Sequence, residues 1–223
     1  MASIYNSFFV KKIKISDTTH LFYFTKPKDF EFDPGQYVSI EVIEHIKRSY
    51  SISSSPFEKY LECVVDISPM GVGTQYLLNL KKGDLVPFFG PLGFMILPKD
   101  LNQVPSLNLV CSGSGIGPFK SFCNYLRNIK YKGIVNLIYS EKYSKDFVKI
   151  EKIPNINIYK TVTREISENY LNGRVIKFLD KLDYNKKSLF YICGNMDMLM
   201  EVFVLLQQKG VDSDRIIKES FYS

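Results

Sequence analysis

The rhythm of hydrophobic and polar positions changes once along this chain. Up to about Leu97 the apolar residues come in short β-branched or aromatic runs, several of them alternating with polar positions and separated by Pro or Gly. Phe8–Ile15, Leu21–Thr25, Tyr37–Val42, Ser49–Ser53, Leu61–Ile67 and Leu85–Phe89 therefore read as strands. Lys26-Pro27-Lys28 and Asp33-Pro34-Gly35 supply turn chemistry, and Gly90-Pro91-Leu92-Gly93 reads as a sharp corner. One helix interrupts the strands, Thr74–Leu80, opened by Gly71-Val72-Gly73-Thr74 and closed near Lys82-Gly83. This half predicts an antiparallel barrel or sandwich.

Beyond Pro98 the period lengthens. Leu107–Cys111 is a continuous apolar run, as a strand buried on both faces requires. It enters a glycine-rich turn, and Phe119–Asn128 follows with Phe119, Phe122, Cys123 and Leu126 on one helical face and Pro118 at the first helical position. Strands at Ile134–Tyr139, Ile156–Val162, Leu189–Cys193 and Arg215–Phe221 alternate with helices at Gly173–Asp180 and Met196–Lys209, the last closed by Gly210. The pattern predicts a mainly parallel five-stranded sheet with flanking helices. Residues 1–101 and 102–223 are thus expected to form two domains.

Composition narrows the class. The 223 residues are 45% hydrophobic and 23% charged, ordinary for a soluble protein with a packed core. A net charge of +6 favours anionic partners, but no Lys/Arg block of the kind that marks a nucleic-acid binder occurs, so none is expected. Four cysteines at 63, 111, 123 and 193 form no C-x-x-C pair, and His20 and His45 are the only histidines, so no metal site is expected. Unpaired thiols suit a reducing compartment. The N-terminus has only Phe8-Phe9-Val10 as an apolar core, and no apolar run approaches ~18 residues. A cytoplasmic protein with no membrane span is the expectation.

The candidate chemistry lies in the turns. Arg48-Ser49-Tyr50-Ser51 puts a forked cation, an aromatic ring and hydroxyls on one short strand. Alternation sends Arg48 and Tyr50 to one side and Ser49 and Ser51 to the other. That set suits a ligand with an anionic end and a flat end. Gly71-Val72-Gly73-Thr74 opens a helix, where bare N–H groups and the helix dipole favour a phosphate. Ser112-Gly113-Ser114-Gly115-Ile116-Gly117-Pro118 links a strand to a helix, a second phosphate cradle, although Pro118 stands where a dinucleotide fingerprint has its third glycine. Lys142, Arg164 and Arg174 make three cations on one expected rim at the strand ends, and Glu141 beside them could bind a ribose hydroxyl and repel a 2′-phosphate.

Taken in order, Arg48–Ser51, Gly71–Thr74, Gly90–Gly93, Gly113–Pro118, Cys193-Gly194-Asn195-Met196-Asp197-Met198 and Glu219-Ser220-Phe221-Tyr222 resemble the ferredoxin–NADP reductase family. The resemblance implies an FAD-binding antiparallel Greek-key β-barrel followed by a nicotinamide-nucleotide α/β domain, with hydride passing between nicotinamide C4 and flavin N5 and single electrons to a separate carrier, ferredoxin or flavodoxin. It makes Arg48 the pyrophosphate arginine, Tyr50 the aromatic beside the flavin and Ser51 the hydroxyl near N5. Gly73 and Thr74, with Gly71, Val72 and Ser49 in the same motifs, complete the flavin clamp. Gly113, Gly115, Ile116, Pro118, Cys193, Gly194 and Met198 fall in the nicotinamide nucleotide motifs. Cys193 orients the transferring carbon, Glu219 is the C-terminal acid, and Phe221 or Tyr222 covers a flavin ring. Ser51, Cys193 and Glu219 are therefore the catalytic candidates. Lys142, Arg164 and Arg174 favour NADPH over NADH; an NADH-dependent flavin reductase or oxygenase-type reductase is the alternative, and a non-enzymatic nucleotide-binding or basic module a distant third.

Overall fold

Along Tyr37–Ile43 and the first six residues of Leu85–Leu92 every second position is buried, and this period turns one face of the first sheet inward. On Leu85–Leu92, Val86 and Phe88 are 0% and 4% exposed while Leu85 and Phe89 are 52% and 39% exposed. The computed structural model describes residues 2–68, 70–180, 182 and 185–220. It divides into two units, one built from the chain up to Leu97 together with Gly117–Asn128, the other from Pro98–Ile116 and the chain from Ile129 onward.

The first unit holds β1 (Ser3–Lys14), β2 (Thr19–Thr25), β3 (Tyr37–Ile43), β4 (Ile46–Ser51), β5 (Tyr60–Asp66), helix α1 (Val72–Asn79) and β6 (Leu85–Leu92). These six strands form an antiparallel half-barrel in the order β4-β3-β6-β1-β2-β5. Its edge strands β4 and β5 are tied just beyond β4, where the Ser53 amide donates to the Glu62 carbonyl at 2.7 Å. Phe9, Phe22, Phe24, Phe30, Ile40 and Phe88 fill the interior, and Leu77 anchors α1 to it. Each such side chain contributes about 1.5–3 kcal/mol of burial. Helix α2 (Ile116–Asn128) also belongs to this unit from Gly117 onward, and Phe119, Phe122, Cys123 and Leu126 are fully buried, as the helical spacing predicts.

The second unit holds β7 (Ser106–Ser112), β8 (Ile134–Glu141), β9 (Ile156–Val162), β10 (Leu171–Asn172), α3 (Val175–Leu179), β11 (Leu189–Gly194), α4 (Met196–Gln208) and β12 (Ile216–Ser220). Its strands are all parallel, in the order β10-β9-β8-β7-β11-β12. The sixth strand, beyond the five expected, is the two-residue edge strand β10. Central β7 buries Leu107, Leu109, Val110 and Cys111 completely. A ladder of amides fixes the register: Asn136 Nδ2 donates to Asn108 Oδ1 at 2.8 Å and Asn157 Nδ2 to Asn136 Oδ1 at 2.9 Å.

Some local expectations shift. Helix α1 begins at Val72 with Gly71 as N-cap, so Thr74 is inside the first turn and is no cap. Gly90-Pro91 lies within β6, where the pairing slips from Ser39–Phe89 to Tyr37–Leu92, so the expected corner is a bulge in a continuing strand. Pro118 is the third residue of α2, still in the first turn where its missing N–H costs nothing. No helix of the described residues is long and apolar enough to cross a membrane.

Candidate functional site

The strand β4 and the start of α1 meet at a glycine. A Cβ added to Gly73 would stand 2.6 Å from the Tyr50 hydroxyl oxygen and 2.9 Å from Arg48 Cγ. Only a glycine brings the helix start this close to both side chains. Arg48 and Tyr50 thus share the side that alternation predicts, with the first-turn N–H groups of Val72, Gly73 and Thr74, which have no intrahelical acceptor, beside them. Arg48 and Ser49 are exposed, and Arg48 spends one guanidinium bond on the Lys47 carbonyl at 2.9 Å. Tyr50 is half-buried, and burial raises its pKa, so the phenol stays protonated.

Ser51 faces the other way. Its hydroxyl is buried and has no hydrogen-bond partner among the described residues. A Cβ on Gly117, at the start of α2, would lie 3.5 Å from Ser51 Cβ.

In the second unit two distant motifs join at a second glycine. Following β7, Gly113–Gly115 makes one 3₁₀ turn with Gly113 at φ +56°, and Ile116 opens α2. A Cβ on Gly115 would stand 2.3 Å from the Cys193 carbonyl oxygen, so this backbone lies directly on Cys193-Gly194. Gly194 has no more room, since its Cβ would meet Ser112 Oγ at 2.6 Å and Met198 Cε at 2.8 Å. Asn195 caps α4 through its side-chain oxygen, which accepts from the Met198 amide at 2.9 Å. The sequence-predicted Gly113, Gly115, Ile116, Cys193, Gly194 and Met198 therefore form one cluster at the carboxyl ends of β7 and β11, with Pro118 two residues along the same chain.

Register then adds an acid. Cys193 pairs with Cys111 on β7 and with Glu219 on β12. Burial pushes the Cys193 thiol well above its usual range, and the Glu219 carboxylate adds to this, so Cys193 is a neutral thiol and no nucleophile. Burial also pushes Glu219 up to about 7.

The backbone brings the segments that carry the three expected rim cations together. The Arg164 amide donates to the Lys142 carbonyl at 2.9 Å, and the Gly173 amide to the Val162 carbonyl at 2.8 Å, which brings Arg174 to the end of β9. Arg174 is engaged: its NH1 donates to Glu201 Oε1 at 2.8 Å. Glu141 is turned inward, buried and accepting from the Tyr139 hydroxyl at 2.6 Å, which removes it from the ribose-binding and phosphate-repelling role considered for it. Phe221 and Tyr222 lie outside the described residues.

Sequence reasoning missed a charged hub in the first unit. Glu62 Oε1 accepts from Lys120 Nζ at 2.5 Å and from Ser53 Oγ at 2.6 Å, while Oε2 accepts from the Tyr23 hydroxyl at 2.6 Å. Ser121 Oγ donates to the Ser54 carbonyl at 2.7 Å and Asn124 Nδ2 to Glu58 at 3.0 Å, so α2 is bolted to the segments flanking Ser51. The available signal was an acid inside the apolar run Leu61–Val65.

Comparisons with known proteins cover both units. Residues 7–96 match the family described as "Oxidoreductase FAD-binding domain" and residues 109–203 "Oxidoreductase NAD-binding domain". The chain is 30% identical to the sulfhydrogenase 1 subunit gamma of Pyrococcus furiosus, over 93% of its own length and 77% of that protein's. It is 26% identical to the toluate 1,2-dioxygenase electron transfer component of Pseudomonas putida over 85% of its length, spanning 59% of that relative. Among solved structures, a ferredoxin NADP+ reductase from Neisseria gonorrhoeae with bound FAD and NADP superimposes with a TM-score of 0.84, at 22% identity, over 98% of this chain and 99% of that one. At that identity the likeness is one of fold.

Proposed function

Because this chain belongs to the ferredoxin–NADP reductase family of FAD- and nicotinamide-binding oxidoreductases, we propose that it couples NADPH, through FAD, to a small acidic one-electron carrier such as ferredoxin or flavodoxin. The observation that carries this reading is the junction of Gly73 with Arg48 and Tyr50, together with a buried Ser51 hydroxyl on the opposite side of the same strand that no described residue satisfies. A phosphate-bearing flat heterocycle fits such a set, and a purely structural turn leaves the Ser51 hydroxyl unexplained. FAD, when bound, supplies the exchange between a two-electron hydride and single electrons.

The residues divide the remaining work. The Arg48 guanidinium and the first-turn amides of Val72, Gly73 and Thr74 hold phosphate oxygens, with Gly71 and Ser49 shaping the approach. Tyr50 presents its ring to a flat face, and Ser51 offers a hydrogen bond to a ring nitrogen. Gly113 and Gly115 bring backbone N–H groups to the nicotinamide nucleotide, with Ile116, Pro118, Gly194 and Met198 shaping that turn. Cys193 orients the nicotinamide without attacking it, and Glu219, titrating near neutrality, holds or releases a proton beside it. Lys142, Arg164 and Arg174 meet the 2′-phosphate. Phe221 or Tyr222 covers a flavin ring in the same reading. The +6 net charge suits an acidic carrier, and four unpaired, buried cysteines suit the cytoplasm.

Anaerobic titration of the purified protein tests this. A yellow protein bleached by one equivalent of NADPH, more readily than by NADH, is the expected result. Equal or better bleaching by NADH replaces the proposal with an oxygenase-type reductase, and a protein that takes up no flavin ends both. Arg164→Ala and Arg174→Ala are expected to erode the preference for NADPH; unchanged preference refutes the phosphate assignment.

A further inference from the structure

Of the three rim cations, Lys142 and Arg164 make no ion pair among the described residues, whereas Arg174 is held by Glu201 from α4. Arg174 is the N-cap residue of α3, its backbone fixed to the end of β9 through Gly173. The Arg174 and Glu201 side chains are 54% and 41% exposed, so the pair sits where a nucleotide phosphate in solution has access to it. A 2′-phosphate carries about −1.5 to −2 charges at neutral pH and seeks the fork geometry that a carboxylate also seeks. A carboxylate 2.8 Å from NH1 therefore competes with the phosphate for the same donors and repels it as well.

We propose that Glu201 is a coenzyme-specificity residue: by pairing with Arg174 it withholds one of the three rim cations from a 2′-phosphate and lowers the preference for the phosphorylated coenzyme. This rests on the reading of the rim as the 2′-phosphate site and deepens it. Only one guanidinium nitrogen is engaged, so Glu201 weakens the site without abolishing it. Half-exposed ion pairs are weak, which limits the effect to about two- to fivefold in affinity, and added salt shrinks it.

The test is calorimetric titration of the FAD-loaded protein with 2′,5′-ADP, which carries the 2′-phosphate, and with 5′-AMP, which lacks it. Glu201→Gln keeps the side-chain shape and removes the charge. It is expected to tighten 2′,5′-ADP about two- to fivefold and 5′-AMP by distinctly less, and to raise the NADPH/NADH ratio of kcat/KM in parallel. The gain must vanish when Glu201→Gln is made in an Arg174→Ala background. Equal tightening of both nucleotides, no tightening, or a gain that survives without Arg174 overturns the proposal while coenzyme oxidation continues. If neither nucleotide binds and neither coenzyme reduces the flavin, the underlying reading falls and this inference with it.

Discussion

Glu62 on β5 and Glu219 on β12 both lie largely out of water, one in each unit. The Glu62 carboxylate receives hydrogen bonds from Tyr23, Ser53 and the ammonium of Lys120, so its charge is compensated at every accessible oxygen. Glu219 receives none from the described residues, and burial pushes it up to about 7. A carboxylate surrounded by donors is a fixed anion that fastens elements together. One left bare takes the cheaper course of keeping its proton until neutrality, where a proton can usefully be exchanged. The contrast separates a structural clamp from a carboxyl that burial brings to about 7, without reference to position in the fold.

The largest effect is expected from breaking the clamp. Glu62→Leu strands the Lys120 ammonium, whose side chain is only 12% exposed. Losing one partner of a buried pair costs about 3–5 kcal/mol. Urea unfolding should show a midpoint lowered accordingly, and the double replacement Glu62→Leu with Lys120→Met should restore most of it. A single variant that loses less than about 1 kcal/mol would contradict the clamp.

Glu219 sets the next effect, through pH. Its folded-state pKa of about 7 is above its ordinary 4.5, so between these values the native state holds a proton that the unfolded chain has released. Its stabilising contribution is complete below pH 4.5 and is lost as pH rises through 7. Allowing for partial solvent exposure, wild type should lose on the order of 2 kcal/mol between pH 5 and pH 8 that Glu219→Gln retains. Denaturation of both proteins at the two pH values decides it; parallel losses would rule the assignment out.

Ser51→Ala should have the smallest effect on stability. It removes a buried hydroxyl without a partner among the described residues, so the flavin-free protein should be unchanged or stabilised by up to about 1 kcal/mol. Reduction of bound flavin by NADPH should slow about tenfold or more, the loss expected when a positioned donor is removed. Thermal unfolding and stopped-flow absorbance measure the two separately. A large loss of stability with unaltered flavin reduction would make Ser51 a core hydroxyl and nothing else.

Much of the fold is written in period. The switch from alternating to continuous apolar runs near Pro98 separates the antiparallel sheet from the parallel one. Where reading failed, the cause was distance or brevity. Lys120 lies 58 residues from Glu62, and Glu201 lies 27 from Arg174, so no local pattern announces either pair. Helix α1 starts two residues before the expected Thr74 because Gly71 caps it with backbone alone, which no side chain in the sequence announces. Strand β10 is two residues long, below what alternation can register. The apolar stripe of α2 was visible, but a stripe specifies that a face is buried and is silent on the surface that receives it.

That surface has an evolutionary corollary. Helix α2 is drawn from the middle of the sequence that otherwise builds the parallel sheet, yet it rests with the half-barrel, whose Glu62, Ser54 and Glu58 bind it. A single genetic crossover between residues 98 and 116 would set the helix of one parent against the half-barrel of the other. Chimeras joined there inherit a mismatched pair unless both parents carry an acid at 62 and a base at 120. Exchange of intact units needs three junctions, near residues 98, 117 and 129, so the order of the genetic message and the boundaries of the physical parts constrain recombination separately.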